Sequence, residues 1–115
     1  MSNYQIYHNP KCSKSRETLE LLKAQGVEPE VIEYLERPLT ELEILELLKK
    51  LDSEPQSLVR TKEDTFKKNS FDIETSEAIA KLIAQYPELM ERPVVVKGHR
   101  AVLGRPPQNV GCLLQ

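Results

Sequence analysis

The sequence predicts an α/β fold in which a small mixed β-sheet is flanked by helices. Two observations carry this prediction. The N-terminal part of the chain alternates short strand patterns with helical ones, and "PVVVKGHRAVL" at 93–103 predicts two strands joined by a tight turn at Gly98. A largely helical segment separates these two parts. A β-α-β half followed by helices and a hairpin places helices on both faces of the sheet.

The length and composition are those of one folded domain over residues 1–115. Of the 115 residues, 39% are apolar and 30% are charged, which is enough to close a single core. The formal net charge of -2 excludes a general attraction to nucleic acid or to an anionic membrane. Because no apolar run exceeds three residues and the first residues lack a signal-peptide pattern, we expect a cytoplasmic protein whose Cys12 and Cys112 are reduced.

The N-terminal segment predicts the β-α-β half. Alternating apolar residues in "NYQIYHN" at 3–9 indicate a strand, and a helical pattern then runs from Ser15 to a stop at Gly26. The apolar segment "VIEYL" at 31–35 indicates the second strand. Cys12 therefore lies in the loop between the first strand and the helix.

The middle and the end of the chain predict further helices. Thr40 and Glu43 form a capping box, because each side chain can bind a free amide of the first helical turn. The predicted segments are a helix at 40–51, a short helical piece at 55–60, an irregular polar run at 61–72, a helix at 76–86 and a terminal helical turn within 106–114. Thioredoxin-like proteins have this element order, here with a helical insertion before the C-terminal hairpin.

The position of Cys12 favours a reactive thiol. A cysteine just before a helix lies near free backbone amides and the positive end of the helix dipole, and both favour the thiolate. His8 lies upstream on the same loop, and Ser13 and Ser15 can offer hydroxyl groups to the sulfur. The alternative is a small buried cysteine among ordinary loop and capping residues. Because Ser15 stands where a C-x-x-C exchanger has its second cysteine, this loop cannot form an internal disulfide.

Three arginines could complete an anion site around the thiolate. Arg60 closes the short helical piece, Arg92 precedes a proline and a strand, and Arg105 follows the last strand in "GRPP". Each of them alone could equally be a surface or ion-pair residue. Together they would hold a tetrahedral oxyanion through paired hydrogen bonds. The two histidines and two cysteines are too scattered for a zinc site, so no metal is expected.

These motifs together resemble the glutaredoxin-linked arsenate reductase family, the ArsC family, which has a thioredoxin-like fold. The resemblance runs over nearly the whole chain, from "IYHNPKCSKSRETLELL" through "VIEYLERPLT", "LVRTKE" and "ERPVVV" to "GRPP". The chain is similar to the short members, since longer reductases continue beyond "GRPPQNVGCLLQ". An ordered set of motifs of this kind is far more specific than the cysteine loop alone.

The resemblance implies an enzyme of arsenic detoxification that reduces arsenate to arsenite. Cys12 would attack arsenate, with His8 and Ser15 lowering the pKa of the thiol. The oxyanion-binding arginines of the family fall on Arg60, Arg92 and Arg105, and Pro93 matches the cis-proline that faces the active site. Glutathione would be the co-substrate and glutaredoxin the partner that regenerates the enzyme. We expect the protein to be a monomer and to bind no cofactor tightly.

Two other functions remain open from the residues. A redox-responsive transcription regulator of the Spx type shares the fold, but Ser15 replaces the second cysteine of its sensing pair. A glutaredoxin-like monothiol exchanger would have no need of the three arginines. Cys112 is expected to be a partly buried structural thiol rather than a resolving one, and His99 an exposed residue of the hairpin turn.

Overall fold

Four strands form one mixed sheet in the computed structural model, which describes residues 3–114. The strands are β1 (Tyr4–Tyr7), β2 (Glu30–Ile32), β3 (Val94–Lys97) and β4 (Arg100–Leu103). Their order across the sheet is β2-β1-β3-β4; β1 and β2 are parallel, whereas β3 pairs antiparallel with both β1 and β4. The predicted β-α-β half and C-terminal hairpin are therefore confirmed.

Helices connect the strands and cover both faces of the sheet. The α-helices are α1 (Ser13–Ala24), α2 (Glu41–Lys50), α3 (Asp64–Lys67) and α4 (Ser76–Gln85), and the 3₁₀ helices are Pro55–Leu58, Pro87–Leu89 and Pro107–Leu113. The capping box predicted for α2 is present, with Thr40 and Glu43 each binding the backbone amide of the other. This helix therefore starts where its sequence indicates.

Alternate residues of the strands supply two apolar clusters, one on each face of the sheet. Ile6 and Val95 pack with Leu22 of α1 and with the last 3₁₀ helix, whereas Val94 and Val96 pack with α2 and α4 on the other face. Successive strand side chains point to opposite faces, so the apolar run of β3 is buried on both sides. This two-sided α/β arrangement is the predicted thioredoxin-like fold.

Three features of these elements differ clearly from the sequence prediction. Helix α1 begins at Ser13 rather than Ser15, with Cys12 as its N-cap. Strand β2 ends at Ile32, because the next residues turn, with the amides of Glu36 and Arg37 both donating to the Glu33 carbonyl.

The third difference is a short helix: the polar run at 61–72, which we predicted to be irregular, contains α3. The aromatic rings of this run are anchored, since Phe71 contacts both Phe66 and Tyr86, with ring centroids 5.9 and 5.3 Å apart. Partly buried aromatic packing therefore orders a segment whose composition is mostly polar.

Close packing around Gly104 joins α1 to the loop before β3. A Cβ atom at this position would lie 2.8 Å from Thr18 Oγ1 and 2.9 Å from Pro93 Cγ. The Gly104 amide donates to the Pro93 carbonyl at 2.9 Å. These contacts leave no room for a side chain where the end of β4 passes α1.

We expect Gly104→Ala to lower the free energy of unfolding by about 1–3 kcal/mol, because an added methyl group overpacks a filled site. Gly111→Ala is the matched control, since a Cβ there would meet no atom within 4 Å among the described residues. Urea unfolding of both variants measures the difference. Equal stabilities would contradict the packing argument.

Candidate active site

The loop between β1 and α1 presents Cys12 at the end of the sheet. The His8 amide donates to the Ile32 carbonyl at 2.8 Å, which ties the start of the loop to β2. The Cys12 amide donates to the Asn9 carbonyl, and the Asn9 side chain accepts from the Lys11 amide, both at 3.0 Å. The loop is thus held by its own hydrogen bonds, with Cys12 at the N-cap of α1.

His8 and Ser15 lie together beneath this loop. His8 Nδ1 and Ser15 Oγ are 2.7 Å apart, and the Asn9 amide donates to the same hydroxyl at 3.0 Å. Burial lowers the pKa of His8; Glu33 opposes this effect, and the nearby cations Arg16 and Lys23 add to it. A neutral imidazole is therefore favoured at neutral pH.

The Cys12 thiol has a pKa below its ordinary value. Burial raises this pKa, but the Arg92 guanidinium and the backbone amides of Ser15 and Lys14 together outweigh burial. Free amides at the start of α1 thus stabilise the thiolate, as the sequence predicts. The resemblance implies that His8 and Ser15 lower this pKa. In the structure the effect of Ser15 comes from its backbone amide, and the His8 ring contacts the Ser15 hydroxyl.

Two of the three predicted arginines reach the sulfur from distant parts of the chain. Arg105 Nη1 lies 3.8 Å from Cys12 Sγ and also donates to the Arg92 carbonyl at 3.3 Å. The Arg92 guanidinium lies close enough to lower the pKa of the thiol. Arg92 enters the site just before Pro93, and the Arg92-Pro93 peptide bond is cis, as the resemblance implies.

Glu91 connects the remaining arginine to this group. Its Oε1 lies 3.5 Å from Arg60 Nε and 3.7 Å from Arg105 Nε, and it accepts from the Arg92 amide at 3.2 Å. Arg60 also pairs with Glu63. The structure therefore brings Arg60, Arg92 and Arg105 together around the Glu91 carboxylate. The sequence analysis did not select Glu91, although it stands next to Arg92 in "ERP".

A cleft opens beside these side chains. It has a volume of about 430 Å³ and is lined by residues 59–64 together with Glu91 and Arg105. Since Arg105 contacts both the cleft and the Cys12 sulfur, a small anion in the cleft could approach the thiolate between guanidinium groups.

Tyr34 is a second residue of this region that sequence reasoning missed. Its side chain is 1% exposed, in the turn that follows β2. Burial raises the pKa of Tyr34 to about 12; the Arg92 guanidinium opposes the rise, whereas the charges of Cys12 and Glu91 add to it. The phenol is therefore neutral at physiological pH and lies among the groups of the site.

Cys112 lies elsewhere and is exposed, so our expectation of a partly buried thiol is wrong. The last 3₁₀ helix turns Val110 and Leu113 inward and leaves Cys112 on its outer side. There the thiol lies 3.5 Å from Arg100 Nη2. The expected exposure of His99 in the hairpin turn is confirmed.

The pH dependence of thiol alkylation tests the electrostatics of Cys12. In a Cys112→Ser background, alkylation should reach half of its maximal rate at a lower pH than in the same variant unfolded in urea. The sign follows from the lowered pKa: the thiolate persists as the pH falls below the free-thiol value, and reactivity is lost only as the pH falls through the folded-state pKa. Coincident midpoints for the folded and unfolded variant would contradict the assignment.

Within residues 3–114, no group of three or more His, Cys, Asp or Glu side chains could hold a metal ion. Each helix in the same range is too short or too polar to cross a membrane. The arrangement offers a stabilised thiolate among guanidinium groups, which suits nucleophilic attack on an anion.

Comparisons with known proteins agree with this chemistry. Residues 7–112 match the ArsC family. The chain is 51% identical to the uncharacterized protein YfgD of Escherichia coli K12, over 91% of each chain. It is 41% identical to a Haemophilus influenzae protein named arsenate reductase, covering 91% of this chain and 93% of that one. A solved structure described as arsenate reductase from Vibrio cholerae has a TM-score of 0.86 and 44% identity, over 93% of both chains.

Proposed function

Because the chain belongs to the ArsC family, we propose that it is an arsenate reductase-like oxidoreductase that uses Cys12 as its nucleophile. The observation that carries the proposal is the contact of Arg105 with the Cys12 sulfur. The nearby Arg92 guanidinium also lowers the pKa of this thiol. The names of the Haemophilus and Vibrio relatives support arsenate as the substrate. The catalytic unit is the domain over residues 1–115, acting as a monomer in the cytoplasm.

The arginines offset the repulsion between two anions. Arsenate is a mono- to dianion at neutral pH, so the approach of a thiolate costs Coulomb energy that fixed guanidinium groups reduce. Arg92 and Arg105 act at the sulfur, and Arg60 lines the cleft, where it pairs with Glu63 and Glu91 until an anion binds. Glu91 holds Arg60 and Arg105 in place before the substrate arrives. His8 and Ser15 keep the loop in the shape that presents Cys12.

The reaction proceeds through a thiol ester of arsenate. The Cys12 thiolate attacks arsenic and forms a sulfur-arsenic bond, while an arsenate hydroxyl takes a proton from solvent and leaves as water. A glutathione thiolate then attacks the Cys12 sulfur, and the bonding pair remains on arsenic, which becomes arsenite. The two sulfurs are oxidised to a mixed disulfide, and glutaredoxin with a second glutathione reduces it.

An external thiol is needed because the loop has no second cysteine at position 15. Ser15 has a hydroxyl in place of a thiol and cannot reduce a disulfide, so the mixed disulfide on Cys12 needs an outside reductant. The proposal assigns this part to glutathione as co-substrate and includes no tightly bound cofactor.

The test is arsenate-dependent NADPH oxidation with glutathione, glutaredoxin and glutathione reductase. We expect a rate of NADPH oxidation that requires arsenate, glutathione and glutaredoxin together. The Cys112→Ser variant should keep this rate, because Cys112 lies away from the site. Reduction of a glutathione mixed disulfide without any arsenate-dependent rate would contradict the proposal and indicate a monothiol exchanger instead.

A further inference from the structure

Two buried polar atoms beside the active site lack hydrogen-bond partners. Among the side chains of residues 3–114, Tyr34 Oη and Arg92 Nε are the buried nitrogen or oxygen atoms without any partner. Buried polar groups in folded proteins are nearly always paired, and an exception calls for an explanation. Both residues are close to the thiol, since Arg92 lowers the pKa of Cys12 and the charge of Cys12 raises the pKa of Tyr34.

The two atoms are chemically complementary. Arg92 Nε carries a single N–H donor, whereas a neutral phenol oxygen offers lone pairs as well as its own proton. Arg92 acts directly on the ionisation of Tyr34, which places the guanidinium beside the phenol. The ring of Tyr34 is held in the core by its almost complete burial, so Arg92 is the residue that would move to bring the pair together.

We propose that Tyr34 is a positioning residue for Arg92: when an oxyanion binds, Tyr34 Oη accepts a hydrogen bond from Arg92 Nε. With Nε held on the inner side, the two terminal amino groups of the planar guanidinium point to the anion and to the thiolate. The inference rests on the proposed function only in that the site must bind an oxyanion. Tyr34 thus acts through Arg92 rather than on the substrate.

The variant Tyr34→Phe distinguishes this positioning role from a purely structural one, which predicts a large loss of stability. This variant keeps the buried ring and removes a hydroxyl group that lies near Arg92 but makes no hydrogen bond of good geometry in the free protein. Removing an unpaired buried polar group does not weaken a fold. We therefore expect unchanged or higher stability in urea, together with weaker anion binding.

Protection of Cys12 from alkylation by arsenate, without any reductant, is the direct test. In a Cys112→Ser background, we expect Tyr34→Phe to need roughly tenfold more arsenate for half protection, as for the loss of one hydrogen bond to a charged group. The pH midpoint of alkylation should also rise, because Arg92 is less well placed to stabilise the thiolate. Tyr86→Phe is the matched control, because this partly buried ring packs on Phe71. Its arsenate concentration for half protection and its pH midpoint of alkylation should both keep their wild-type values.

The outcomes separate the two proposals. Equal protection of the wild type and Tyr34→Phe would overturn the positioning role and leave the proposed function intact. A large loss of stability in Tyr34→Phe would also overturn it in favour of a structural role. Failure of arsenate to protect even the wild-type thiol would overturn the oxyanion site itself, and both proposals with it.

Discussion

Replacing Cys12 by serine is expected to reduce arsenate-dependent turnover by more than about 10³-fold, since the proposed reaction depends on one nucleophilic sulfur. A serine hydroxyl is not ionised near neutral pH, so the amides and arginines that stabilise the thiolate have no anion to act on. It also cannot form the mixed disulfide that glutathione and glutaredoxin would reduce. The coupled NADPH assay measures the loss.

The same variant should fold normally, which makes the loss of turnover interpretable. Cys12 occupies the N-cap of α1, and serine is among the residues preferred at that position. Urea unfolding should therefore show a stability equal to or above that of the wild type. Cys112→Ser serves as the matched thiol control, and a Cys12→Ser enzyme with near wild-type turnover would place the chemistry on another sulfur.

Most of the fold follows from local sequence patterns. Alternating and 3.6-residue apolar periods, prolines and the Thr40 capping box located each major strand and helix. The boundary that failed at β2 did so because "VIEYL" turns after Ile32, where the amides of Glu36 and Arg37 donate to the Glu33 carbonyl, so that Tyr34 is buried from a turn rather than from a strand. A pattern of apolar residues cannot distinguish these two causes of burial.

The site was only partly accessible to the same reasoning. The environment of Cys12 at the start of α1 is local, so strand, loop and helix signals were sufficient to predict a stabilised thiolate. The grouping of the three arginines depends on chain segments far apart in sequence, and the family resemblance supplied it. Glu91 looks like a solvated charge and Tyr34 like a core residue, since neither carries a motif of its own. Their roles emerge only from contacts.

The second large effect is expected for Arg92→Ala. Arg92 lies beside the thiolate and lowers the pKa of Cys12, so its removal should raise that pKa and take away a donor to the oxyanion. Losing one such donor should cost about 2–4 kcal/mol of transition-state stabilisation, or about 30- to 900-fold in kcat/KM for arsenate. A lysine at position 92 should restore little, because it lacks the planar fork that can serve sulfur and anion together.

Arg100→Ala separates this effect from a general loss of positive charge. Arg100 is exposed and pairs with Asp52 at 2.7 Å, away from Cys12, and its removal changes the net charge by the same amount. Only the variant at Arg92 should shift the alkylation midpoint of Cys12 upward and lower kcat/KM. If both arginine variants lost activity equally, long-range charge would account for the rate. If neither did, the α1 amides and Arg105 would stabilise the thiolate without Arg92, and the oxyanion would also be bound without Arg92.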